Sequence, residues 1–202
     1  MSITTTRAIV LRSVPFKDNQ KILTLFSKQL GILSMILKGL SPKKSFLLSF
    51  GEVFCEAEFT FTKKRSDLVI FTEGTILSLH LPLREALSHL QIATALTQAI
   101  LRSQLPGKPD PELYALLSCF LKQIPLFSQP APLLACFYLK FLMQEGIFDP
   151  KTDLTGTFSQ EETHSLIEIS LIQQFSMLKQ KVLSLECAKR LEQLFFAKIS
   201  QN

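Results

Sequence analysis

The sequence predicts an α+β chain in two parts, an all-β domain over residues 1–80 followed by an all-α domain over 81–202. Three observations predict it. Before residue 80 the apolar residues recur every second position in short runs rich in β-branched and aromatic side chains, and from Leu81-Pro82 the period lengthens to about 3.6. The charge divides at the same place. Up to His80 there are eleven bases and six acids, and after it eleven of each, so the net charge of +5 belongs to the first part. Such a split points to two modules with different jobs.

The first strand is read over Thr4 to Arg12, with Ala8 and Val10 on one face and Arg7, Ile9 and Leu11 on the other. A loop, Ser13 to Asn19, follows. Lys21 to Ser27 and Ile32 to Lys38 form two runs joined tightly around Gly31, a hairpin. Gly39 to Ser45 is loop by composition. Next, Val53, Cys55, Ala57, Phe59 and Phe61 alternate with Glu52, Phe54, Glu56, Glu58, Thr60 and Thr62, one buried face against one mostly wet face. A turn at Lys63 to Ser66 leads into a fifth run, Asp67 to Leu79. Five short strands with basic loops predict a small closed sheet, most economically a five-stranded OB-fold barrel.

In the second part, Leu83, Leu87, Leu90, Ala93, Leu96 and Ile100 make one helical stripe. Asp110-Pro111-Glu112 opens the next helix, an N-cap followed by proline at the first helical position, with Leu113, Leu116, Leu117, Phe120 and Ile124 as its buried face. A third helix, Ala131 to Glu145, is apolar nearly all round and stops at Gly146, which makes it central to a helical bundle. Ser159-Gln160-Glu161-Glu162 has the form of a capping box and opens a fourth, and a last amphipathic helix runs from Leu185 to Ile199.

Composition narrows the function. Cys55, Cys119, Cys136 and Cys187 are scattered singly, with no C-x-x-C pair or histidine at ligand spacing; all four read as buried thiols in a reducing compartment, with neither a zinc site nor a disulfide framework. No run approaches a membrane span, and the start MSITTTRAIVL lacks the parts of a secretory signal, so cytoplasmic residence is expected. His80, His89 and His164 stand apart from cysteines and close acid pairs, and no phosphate-binding glycine loop or nucleophile elbow occurs. The chain therefore reads as a non-enzyme, with no cofactor and no metal.

The positive charge is concentrated. Between Met1 and Gly51 the bases Arg7, Arg12, Lys17, Lys21, Lys28, Lys38, Lys43 and Lys44 face one acid, Asp18, a net charge of +7 interleaved with strands. A folded basic sheet has an anionic polymer as its partner. OB barrels contact oligonucleotides through the face of strands 2 and 3 and the loops joining strands 1 and 2 and strands 4 and 5, where this chain holds Lys17, Lys21, Lys28, Lys38 and Lys63-Lys64-Arg65. Phe16, in a loop, and Phe26, on a basic strand, are candidates to stack under bases, although Phe26 at such a position reads first as core. The rival readings are a generic OB-type single-strand or RNA-binding module with an adaptor bundle, and a protein scaffold whose charge serves solubility.

Arg7-Ala8-Ile9-Val10-Leu11-Arg12, then Phe16 through Lys21 to Ser27 and Gly31, then Lys38-Gly39 and Lys44-Ser45, resemble the amino-terminal domain of the bacterial DNA repair protein RecO family. Leu83 to Leu87, Pro109 to Tyr114, and Phe137 to Gly146 followed by Pro150 are similar to that family's helical part, and the likeness covers about residues 5–150. It departs at two places. Asp149 to Ser159 lacks the cysteine pairs with which many members hold zinc, and Gln20 stands where the family usually has an acid. The resemblance implies an OB domain on a helical domain and a recombination mediator of the RecF pathway, which binds single- and double-stranded DNA and anneals complementary strands. It also implies work with RecR and engagement of single-stranded-DNA-binding protein so that RecA can load. The acidic, hydrophobic-ended tail of that binding protein is expected on the helical domain, with Arg84, Arg102, Lys122 and Lys140 as candidate contacts.

Overall fold

The computed structural model describes residues 2–41, 45–63 and 67–201. The chain divides into two compact units, Met1–Pro82 with Gln104–Leu121, and Leu83–Ser103 with Lys122–Asn202. Sequence periodicity puts one boundary, near residue 80; in the structure residues 104–121 return to the unit that holds the strands.

That unit contains β1 (Ser2–Pro15), β2 (Gln20–Ser27), β3 (Gly31–Lys38), α1 (Ser45–Phe50), β4 (Glu56–Lys63) and β5 (Leu68–Ser78). The strands form a closed barrel in the order β1-β2-β3-β5-β4, the OB-fold arrangement expected. β1 pairs antiparallel with both β2 and β4, and closure comes from a short parallel pairing of β3 with β5, Ser34 opposite Leu68 to Ile36 opposite Ile70. Alternation fills the interior with Ala8, Val10, Leu23, Leu25, Met35, Leu37, Ala57, Phe59 and Phe61. β1 bulges between Val10 and Arg12, and Val10, opposite Leu25 of β2, turns its backbone N–H to the Cys55 carbonyl (2.9 Å) and accepts from the Phe54 N–H (2.8 Å) on its other side.

Two features of this unit depart from the periodicity. α1 follows directly on the predicted loop, in residues to which the periodicity assigns no element, and its Phe50 is fully buried, 5.7 Å from the Phe59 ring and 5.0 Å from Phe71. Gly74 makes room for it: a Cβ there would lie 2.9 Å from the Phe50 ring and 2.4 Å from the Glu58 carbonyl oxygen. The strand expected from Glu52 starts instead at Glu56, because Phe54 takes a left-handed conformation (φ 72°) in the preceding turn. On the face expected to be wet, Phe54 and Glu56 are buried.

α3 (Pro111–Gln123) belongs to the barrel unit except for its last two residues. It begins as the sequence predicts, the Leu113 N–H donating to the Asp110 carboxylate at 2.9 Å. Cys119, on this helix, is exposed, which corrects the expectation of four buried thiols. Burial pushes the thiol of Cys55 up to about 12 and those of Cys136 and Cys187 up to about 11.

The second unit holds α2 (Leu87–Ser103), α4 (Ala131–Gln144), α5 (Pro150–Asp153), α6 (Gln160–Leu171), α7 (Phe175–Leu178) and α8 (Leu185–Ser200). α4, apolar nearly all round, is its centre and packs against α8, α6 and α2. The Tyr138 ring lies 4.5 Å from Phe195 of α8, and its buried hydroxyl donates to Glu192 at 2.9 Å. The capping box at Ser159 is formed, with the Glu162 N–H donating to Ser159 Oγ (3.2 Å) and the Ser159 N–H to Glu162 Oε2 (3.0 Å). Of the stripe expected on α2, Ala93, Leu96 and Ile100 are buried while Leu87 is 72% exposed, because it is the helix's first residue. Among the described residues no helix is long and apolar enough to cross a membrane.

Candidate nucleic-acid interface

The β1–β2 loop gathers part of the basic set at one rim of the barrel. Lys17 and Asn19 both take left-handed conformations (φ 50° and 56°), which turns the chain tightly enough for the Phe16 N–H to donate to Gln20 (2.9 Å). Phe16 is left 37% exposed with Lys17 Nζ 5.5 Å from its ring centroid. Gln20 pairs with Lys38 across β2 and β3, and the Leu40 N–H donates to Asn19 (3.0 Å), tying the exit of β3 to the same loop. Past the bulge, Arg12 is exposed and lies opposite Thr24 of β2, itself opposite Ser34 of β3. Phe16, Lys17 and Lys38 therefore share one end of the β1–β2–β3 face, and Arg12 stands on the same face four residues further along, on the row of Thr24 and Ser34. On the other side, the exposed acids Glu58 of β4 and Glu73 of β5 lie among Thr5, Thr60 and Thr75.

The remaining candidates are dispersed. Lys21 points toward the barrel end rather than outward, its Nζ donating to the Gly51 carbonyl (3.3 Å) and lying 3.7 Å from Glu52. Lys28 is exposed in the β2–β3 turn and Lys63 at the end of β4. Lys43, Lys44, Lys64 and Arg65 lie outside the described residues. Phe26 is fully buried with its ring 6.0 Å from Tyr114, so it packs under α3 and cannot stack on a base.

Arg7 is engaged inside the unit. Its guanidinium donates to Glu56 Oε1 through Nε (3.0 Å) and a terminal nitrogen (2.7 Å), and the carboxylate has no exposed surface. Tyr114 (2.9 Å) and Ser118 (3.1 Å), both of α3, donate to the same carboxylate, and His80 Nε2 lies 3.8 Å from Oε2. Burial opposes the charge on Arg7, but hydrogen bonding and attraction to Glu56 outweigh it and raise its pKa; burial, then the negative charge of Glu56, pushes the Tyr114 hydroxyl up. This network pins α3 to the barrel. Alternation alone reads Glu56 as wet, and nothing local sets it apart from Glu58, which is flanked by Ala57 and Phe59 in the same way and is exposed.

Of the bases considered for a peptide, Arg84 and Lys122 are exposed and Lys140 is half-buried on α4. Arg102, in the last turn of α2, lines a groove of about 680 Å³ between α2 and α8 and stacks over Phe196 at 4.5 Å. Ala95, Gln98, Glu192 and Gln193 line it too. Among the described residues no three histidine, cysteine or acidic side chains gather as they would around a metal ion.

Residues 1–80 match the family described as Recombination protein O N terminal. Over 144 residues the chain is 31% identical to the DNA repair protein RecO of Chlamydia pneumoniae, an alignment covering 70% of this chain and 56% of that protein. It is 30% identical over 153 residues to the DNA repair protein RecO of Desulfitobacterium hafniense (71% and 52% covered), and 25% identical over 142 residues to that of Syntrophus aciditrophicus (70% and 55%). The chain spans about half the length of these curated relatives.

Proposed function

Because the chain belongs to the RecO family through its amino-terminal domain, we propose that it is a non-enzymatic mediator of DNA repair and recombination that binds single- and double-stranded DNA and promotes annealing of complementary strands. The observation that carries this reading is the polarity of the barrel. Arg12, Lys17 and Lys38 stand with the exposed ring of Phe16 on the β1–β2–β3 side, while Glu58 and Glu73 occupy the β4–β5 side. Cations that track phosphates, next to an aromatic ring that accepts any base, are what sequence-tolerant strand binding requires. Annealing then needs no nucleotide hydrolysis, since a cationic surface screens the repulsion between two strands and raises their local concentration. In this role the chain works with RecR and acts on strands covered by single-stranded-DNA-binding protein, so that RecA loads.

The α2–α8 groove supports a second interaction in the same role. Its apolar floor and Arg102 suit the hydrophobic end and terminal carboxylate of an acidic peptide such as the binding protein's tail. A labelled peptide of that kind should bind the full chain saturably and about tenfold more weakly to Arg102→Glu, the order for removing one charge-assisted hydrogen bond. An unchanged affinity would remove the groove from consideration.

The experiment that separates this function from a generic single-strand or RNA-binding module is annealing of complementary strands already coated with single-stranded-DNA-binding protein. The chain should accelerate it by at least about tenfold at low salt. A generic module would bind bare strands yet leave the annealing of coated ones unaccelerated.

A further inference from the structure

The parallel pairing of β3 with β5 begins only at Ser34 and Leu68, so residues 31–33 of β3 run on without β5 beside them. Pro106 and Gly107 bridge part of that edge, the Gly107 N–H donating to the Ile32 carbonyl at 3.1 Å. Between them a groove of about 600 Å³ remains. Leu30 and Leu33 provide apolar wall, Gln29 and Ser34 provide amide and hydroxyl groups, and Lys63 and Asp67 stand at its lip. Two more cations are close by in the chain fold. Lys28 is exposed in the β2–β3 turn, and the exposed Lys108 has its backbone packed so closely on Gly31 that a Cβ there would lie 2.1 Å from the Lys108 carbonyl oxygen.

We propose that this groove takes one unstacked base of a single strand, with the adjoining phosphates on Lys63, Lys28 and Lys108. The proposal rests on the DNA-binding reading above and adds to it a subsite, together with a cation, Lys108, from the part of the chain that composition marks as neutral. Three lysines against one acid favour a polyanion over an apolar peptide as occupant. Apolar walls with amide and hydroxyl groups beside them match the faces and edges of a base. A duplex, whose bases are paired and stacked, has none to offer without the cost of extruding one.

The test compares the full chain's affinity for a fluorescent single strand, for a strand of the same length made of abasic sites, and for a duplex. The wild type should prefer the base-bearing strand to the abasic one by about tenfold, the order of one stacked base. Ser34→Trp, from an exposed position on β3, and Gln29→Trp, from the turn, each fill the groove; either should abolish that preference, read as the ratio of base-bearing to abasic affinity within each variant. Lys108→Glu should weaken base-bearing and abasic strands by a similar factor. Retained preference in both filled variants, or equal binding of the two strands by the wild type, would overturn the groove while leaving salt-dependent DNA binding intact. Absence of oligonucleotide binding at any salt would instead remove the DNA-binding reading, and the groove with it.

Discussion

Gly31→Ala is expected to destabilise the barrel unit by about 2–5 kcal/mol, the sum of a left-handed backbone penalty and an overpacking cost. Gly31 has φ +68° at the start of β3, and a Cβ would come within 2.1, 2.6 and 2.8 Å of the Lys108 carbonyl oxygen, carbonyl carbon and amide nitrogen. Backbone cannot swing aside as a flexible side chain can. The segment around Lys108 would have to withdraw, straining the Gly107 bond to Ile32 that holds it against β3. Gly39 is the control: at φ +73° with nothing within 4 Å of its Cβ position, Gly39→Ala should cost only about 1–2 kcal/mol. Denaturant unfolding of the two variants measures the difference. Equal losses would mean that the close approach of residue 108 contributes nothing.

Arg7→Ala should cost about 3 kcal/mol, because it leaves the Glu56 carboxylate buried without its cation. The lower end of the range for broken buried pairs applies, since the Arg7 side chain is 42% exposed and water can reach the vacated space. The charge rather than the packing should be responsible, and a double variant separates them. In Arg7→Ala with Glu56→Gln, the amide oxygen still accepts from Tyr114 and Ser118 and no buried charge remains, so much of the stability should be recovered. A double variant less stable than Arg7→Ala alone would show that Arg7 acts through its packed stem.

How much of this is legible in the sequence follows from the range of each interaction. The hairpin at Gly31, the Asp110 cap, the Ser159 capping box and the all-round apolar α4 are encoded within a few residues, and each forms where its pattern lies. Glu56 cannot be read that way. Arg7, 49 residues earlier, comes alongside through the β1–β4 pairing, and Tyr114 and Ser118, 58 and 62 residues later, arrive with the return of residues 104–121 to the barrel. Lys108 is hidden for the same reason, lying in a half of the chain that is neutral overall. α1, at six residues, is too short to show a period, and its neighbours Gly39 and Pro42 read as loop. Strand membership correctly marks Lys21 and Arg7 as basic positions but not which way their charges point. Register and the partners Gly51 and Glu56 settle that, and leave Lys17 and Lys38 at the β1–β2 rim with Arg12 further along the same face.

The most direct measurement is the affinity of the full chain for a fluorescent single-stranded oligonucleotide across a salt series, compared with the variant carrying Arg12→Glu, Lys17→Glu and Lys38→Glu. For the wild type the logarithm of the affinity should fall linearly with the logarithm of salt concentration. The variant should bind more weakly, with a slope shallower by about 2, roughly 0.7 for each single-strand phosphate that is no longer neutralised. Binding that ignores salt, or a variant of unchanged circular dichroism that keeps the wild-type affinity and slope, would contradict the assignment of the β1–β2–β3 side as the nucleic-acid face.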